Sequence, residues 1–193
     1  MKVSLLALGI ALLQFTFFPS AHAGRSVVQP SYEDTAYLRV ITERAGKIVT
    51  ALNLPDSAAF LRVRTIVAGQ YRALNAVYTA RDSGKIVQQD VDAKIATLHS
   101  TYLKKLATEL DPQQIDKVKD GMTYSVVEVT YRAYQQQLPN LTDEQKAYIL
   151  SALVEAREHA MDAESSAKKH AWFGKYKGRI NNYLSSQGIS MKK

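Results

Sequence analysis

Apolar residues recur every three or four positions through almost the whole chain beyond residue 30, and that spacing points to α-helices throughout. Tyr37, Ile41, Ala45, Ile48 and Leu52 form one stripe, ending near Asn53. Phe60, Val63, Val67, Tyr71, Leu74 and Tyr78 form a second, closed by Ser83-Gly84. Val87, Val91, Ile95, Leu98, Tyr102 and Leu106 form a third. The junctions carry helix-start chemistry. Ser31 with Asp34 reads as a cap, and Leu54-Pro55-Asp56 restarts the chain. Asp111-Pro112, with Gln114 three residues after the cap, places a capping carboxylate, a proline suited to a first turn and a returning amide in order. The helix it opens is short, with Ile115 and Val118 inside and Gly121 as its stop. Thr142 and Gln145 form a capping box ahead of Leu150, Leu153, Val154 and Met161. Ser165-Ser166 caps a last helix carrying Trp172, Phe173, Tyr176, Ile180, Tyr183 and Leu184.

Met122–Gln137 is the ambiguous stretch. Val126, Val127, Val129 and Thr130 favour a strand, whereas Tyr124, Val127, Tyr131, Tyr134 and Leu138 keep helical spacing. A lone strand has nothing to pair with, so the expectation is an irregular turn passing into a short helix. The starts at Leu54, Leu110 and Leu141 are unevenly spaced, which argues against a solenoid. The predicted fold is all-α, an irregular bundle of about six helices forming a single helical domain over 31–193. Gly174 and Gly178 lie one turn apart inside the last helix, each costing about 1 kcal/mol against alanine. Close approach of a neighbouring helix is the first explanation; backbone access for a ligand, or a break in the helix, are the others.

Residues 1–23 stand apart. Lys2 precedes an apolar run from Val3 to Phe18, Pro19-Ser20 breaks it, and Ala21-His22-Ala23 has the small-x-small pattern of a signal-peptidase site. The run is short for a membrane span, which needs about 20 residues. The reading is a cleaved signal peptide, then a short disordered lead-in over 24–30, and a mature protein that is periplasmic or secreted. No later stretch is apolar enough to span a bilayer, so no membrane span is expected after cleavage. Export removes functions that need cytoplasmic nucleotide pools, and it argues against a nucleic-acid partner despite a net charge of +7. Losing Lys2 leaves 24 basic residues against 18 acidic ones. Outside the cytoplasm such an excess suits acidic glycans or anionic head groups, or simple solubility. The chain has no cysteine, which excludes disulfides, thiolate metal sites and a thiol nucleophile. Packing alone must hold the 170 mature residues, a feasible size.

Three groups of residues can carry chemistry. Glu155, Glu158, His159 and Asp162, with His170 further on, set carboxylates and imidazoles one helical turn apart. Glu155 and His159 are a weak metal-ligand pair, matching neither the zinc-peptidase nor the di-iron spacing. The plain alternative is a solvated face of surface pairs, and no cofactor is expected. The last helix offers Lys168, Lys169, His170, Trp172, Lys175, Tyr176, Lys177, Arg179, Asn181, Asn182 and Tyr183, a mixture that can stack on sugar rings and clamp carboxylates. Helical periodicity already explains its aromatics as core, and that plain reading comes first. Arg62, Arg64, Tyr71, Arg72, Asn75, Tyr78 and Arg81 either line a groove or, more simply, lie over the bundle and pair with acids. No serine sits in a nucleophile elbow, and His99, His159 and His170 are the histidines left after cleavage.

Four segments carry a resemblance: Ile41-Thr-Glu-Arg-Ala-Gly-Lys-Ile48, Gln70-Tyr-Arg-Ala-Leu-Asn75, Glu155-Ala-Arg-Glu-His-Ala-Met-Asp162 and His170-Ala-Trp-Phe-Gly-Lys-Tyr-Lys-Gly-Arg-Ile-Asn-Asn-Tyr-Leu184. From Tyr37 onward the chain resembles the exported bacterial family named domain of unknown function 3826. The resemblance implies an exported protein of Gram-negative bacteria, often among plant-polysaccharide degraders, and transfers no catalytic residue. A weaker likeness links Leu141-Thr142-Asp143-Glu144-Gln145 to envelope-stress chaperones with a Leu-Thr-x-x-Gln motif. Three functions follow as expectations: a binding or accessory module for an acidic oligosaccharide, a carbohydrate-active enzyme using Glu155, His159 or His170, and a periplasmic chaperone.

Overall fold

A computed structural model describes residues 32–189; the expected leader, the lead-in and the Ser31 cap lie outside the described residues. Among the described residues there are seven helices and no strand: α1 Tyr32–Thr50, α2 Ser57–Asp82, α3 Gln88–Ala107, α4 Pro112–Met122, α5 Val126–Gln137, α6 Asp143–Met161 and α7 Ser166–Ser186. This is the all-α bundle that the spacing predicts, with seven helices against about six expected. No described helix is long and apolar enough to cross a membrane.

The starts form as the cap residues dictate. The Asp56 carboxylate accepts from the Ala59 amide at 2.6 Å. Reciprocal capping boxes close at Asp111/Gln114 and Thr142/Gln145, and Ser165 accepts from the Lys168 amide at 3.2 Å. Such a cap stabilises a helix by about 1 kcal/mol. The ambiguous stretch resolves into a turn and then α5. Tyr124 and Ser125 both take left-handed backbone angles, φ 60° and 53°, which costs side-chain-bearing residues roughly 1–2 kcal/mol each. The Ser125 amide donates to the Asp120 carbonyl at 2.8 Å, and the buried Thr123 hydroxyl donates to the Lys119 carbonyl at 2.8 Å.

Two apolar clusters hold the bundle. One joins Ala45 and Val49 of α1, Val63 and Val67 of α2, Tyr102 and Leu106 of α3, and Val118 and Met122 of α4. The other joins Val127 of α5, Ile149 and Leu153 of α6, and Phe173, Ile180 and Leu184 of α7. Each fully buried Leu, Ile or Phe among them contributes about 1.5–3 kcal/mol. Helix α6 serves both clusters, since its last residue, Met161, packs in the first. Arg157 also ties α6 to α4: its buried guanidinium donates to Asp116 at 2.6 Å and to Asp120 at 2.9 Å.

Four sequence expectations need correction. Gly121 does not stop α4, which continues to Met122. A Cβ there would meet Ile48 Cγ2 at 3.0 Å, so the glycine serves the approach of α4 to α1. Gly174 and Gly178 lie in an unbroken helix, and an added Cβ would meet nothing within 4 Å at either. No neighbouring helix therefore explains them. Val87 is the N-cap of α3 and 66% exposed, outside the stripe it was expected to join. Leu150 is exposed as well, because α6 buries Ile149 and Leu153 instead.

Candidate functional site

A cleft of about 550 Å³ opens where α2, α3, the end of α6 and the start of α7 meet. Its walls combine Val91, Ile95 and Ala96 of α3 with Tyr78 and Arg81 of α2 and with Glu158, His159, Asp162, Lys168 and Trp172. The volume falls within the usual range of small-ligand sites, about 300–1,000 Å³.

A fixed polar assembly forms its floor. His99 Nδ1 lies 2.6 Å from Asp162 Oδ2. An ionised carboxylate only accepts, so Nδ1 carries the proton and Nε2 faces the other way. Asp162 is buried at the end of α6, and Gln70 Nε2 donates to its other oxygen at 3.1 Å. Its main-chain carbonyl accepts from the Tyr78 hydroxyl at 2.8 Å. Glu158 Oε2 accepts from Lys119 Nζ at 2.9 Å and stands 3.7 Å from His99 Nε2. The hydrogen bond to Asp162 raises the His99 pKa above its ordinary value, against the opposing effect of burial. Burial, followed by the carboxylates of Glu164 and Asp162, pushes Tyr78 up to about 12, so its hydroxyl stays a donor.

At the lip, the His159 and Trp172 rings stack at 4.5 Å and 16°. Lys175 Nζ sits 5.0 Å from the centre of the Trp172 ring. The stacked pair adds flat apolar surface beside the hydrogen-bonding side chains of the cleft.

The sequence candidates divide accordingly. Glu158, His159 and Trp172 share the cleft. Glu155 does not line it: its carboxylate accepts from Tyr176 at 2.7 Å and from Arg179 at 2.5 Å. The Arg179 bond, then the Tyr176 bond, holds the Glu155 pKa below the ordinary carboxylate value. His170 is exposed and stacks on Tyr124 at 5.7 Å, away from the cleft lining. Tyr176 is core, Tyr183 stacks on Tyr148 at 3.8 Å, and Asn182 is exposed. Arg179 lies over the Tyr176 ring at 4.4 Å. The plain reading fits the aromatics of the last helix: Phe173 and Tyr176 are buried, and Trp172 and Tyr183 are half-buried against the second cluster. Of the pair Glu155 and His159, the carboxylate accepts from Tyr176 and Arg179 while the imidazole stacks on Trp172; among the described residues no group of three or more His, Asp or Glu side chains is placed to hold a metal ion. On α2, Arg62 pairs with Glu109 at 2.9 Å and Arg81 with Glu164 at 2.5 Å, the surface pairing expected of them.

His99 is the residue whose role the sequence left unassigned. It precedes Tyr102 by three positions, at the flank of the α3 stripe, and that edge position in a helix was its one signal.

The model of the family described as "Protein of unknown function (DUF3826)" matches residues 38–94 and 85–193. No curated protein matches the chain. The family matches span most of the sequence, and the chain belongs to that family.

Proposed function

We propose, from membership of a family of unknown function and from the cleft, that this chain is an exported saccharide-binding protein. The observation that carries the reading is the stacked His159–Trp172 pair at the lip of a cleft floored by His99, Asp162 and Glu158. Lys168 in the cleft lining and Lys175 over the Trp172 ring favour oligosaccharides that carry acidic groups. The leader-like first 23 residues support a periplasmic or secreted setting, where plant-type glycans are available. Titration calorimetry with a panel of neutral and acidic oligosaccharides tests this. Heat with at least one of them, weakened tenfold or more by Trp172→Ala, is expected. A panel silent throughout removes the reading.

A second reading rests on one specific arrangement. His99 is oriented by a buried carboxylate, the way a general acid–base imidazole is held in place. In that reading the cleft turns over its saccharide, with His99 exchanging the proton and Asp162 positioning it. Glu155 and His170 play no part. His99→Gln with wild-type saccharide affinity but no turnover supports it; undetectable turnover of every bound saccharide by the wild type removes it.

A further inference from the structure

A second cavity, of about 160 Å³, lies between α1, α2 and the start of α7. Two cations reach it, Arg44 from α1 and Lys169 from α7. Lys169 is only 5% exposed, yet its ammonium has one hydrogen bond, to the Met161 carbonyl at 2.9 Å. Among the described residues no carboxylate lies within 4 Å of either cation. Asp162 is taken by His99 and Gln70, and Glu164 by Arg81. Both cations flank one ring, with Arg44 5.5 Å and Lys169 5.9 Å from the centre of Tyr71.

Buried charges in proteins are normally paired, because an uncompensated one is costly to desolvate. Here a buried ammonium and an exposed guanidinium converge on a shared space with no carboxylate in direct contact: Glu164, which also lines it, is held by Arg81, and Asp162 acts on Lys169 only from beyond ion-pair distance. The rest of the lining suits a small organic acid, with Tyr37, Tyr71 and Tyr124 offering rings and Asn75 an amide. The cavity is too small for a whole oligosaccharide, so it takes a single acidic unit.

We propose that this cavity is an anion site for the carboxylate of a small organic acid, with Lys169 and Arg44 as its clamp. A carboxylate between the two cations pairs with both directly, and Arg44 offers the planar fork that fits two oxygens. Desolvation holds the Lys169 pKa down at about 8, against the attraction of Asp162 and with Arg44 pressing the same way as burial. A bound anion reverses that push. The site stands independently of the saccharide cleft, although both share Tyr78, Ala163 and Glu164 as a wall.

The test is calorimetry of the full chain with sodium galacturonate, sodium benzoate, sodium phosphate and, as the neutral control, galactose. Binding of galacturonate or benzoate, at least tenfold weaker in both Lys169→Met and Arg44→Gln, is expected, with galactose and phosphate weaker than the carboxylates. Circular dichroism of each variant guards against loss through unfolding, and Arg44, being exposed, provides the milder change. No heat with either carboxylate in the wild type overturns the site. Equal affinity in both variants, or phosphate alone binding, overturns it too. Neutral oligosaccharides that still bind in those variants keep the cleft reading separate from this result.

Discussion

Replacing Lys169 by methionine gives a stability curve whose pH dependence is set in advance. Methionine keeps the unbranched stem and loses the charge. Against an ordinary value of 10.5, a folded pKa of about 8 means that the native state favours the neutral amine by roughly 3 kcal/mol. The unfolded chain holds the proton more tightly, so raising the pH stabilises the fold. The penalty is present in full below about pH 8 and has gone above about pH 10.5. Between about pH 7 and pH 9.5, roughly 2 kcal/mol of it is relieved. Urea unfolding followed by circular dichroism at those two pH values, for the wild type and Lys169→Met, isolates the effect, because every other titrating group contributes alike to both. The wild type should gain about 2 kcal/mol relative to the variant. Parallel behaviour across that range would refute the claim that Lys169 is a buried cation whose desolvation outweighs the pull of Asp162.

Three glycines form a second experiment. Gly174→Ala and Gly178→Ala should each stabilise the chain by about 0.5–1 kcal/mol in urea unfolding, since both sit in open helix with nothing near an added methyl. Gly121→Ala should destabilise by roughly 1–3 kcal/mol, because its methyl would press on Ile48; a neutral result would contradict the packing of α4 on α1. The His99 ring should titrate above its ordinary value by NMR and fall back in Asp162→Asn. Its raised pKa means that the pair stabilises the fold fully below about pH 6.5 and that this support is lost as pH rises through the folded value. Equal midpoints in the two proteins would show that the hydrogen bond to Asp162 does not govern the imidazole.

The helices were legible because their signals are local. Asp111 with Gln114 and Thr142 with Gln145 close the capping boxes that three-residue spacing predicts. The turn before α5 was legible by elimination, through the want of any partner strand. What escaped sequence reading depends on contacts across the chain. His99 and Asp162 meet over 63 residues of separation, and no spacing rule connects α3 to the end of α6. Glu155 and Glu158 look equivalent in sequence, yet one faces Arg179 at the surface and the other faces the cleft. Three residues set them only about 60° apart around the helix axis, and that offset is enough to select the neighbour. Gly121 and Gly178 look alike too. Only the position of Ile48 separates a glycine that serves packing from one beside open space.

Trp172 is the single tryptophan of the chain, so its fluorescence reports on the lip of the cleft without interference. Titrating the protein with the saccharide that gives the strongest heat should shift or quench that emission saturably, with the same midpoint as the calorimetry. Heat of binding with an unchanged Trp172 spectrum would place the ligand elsewhere and contradict the assignment of the cleft.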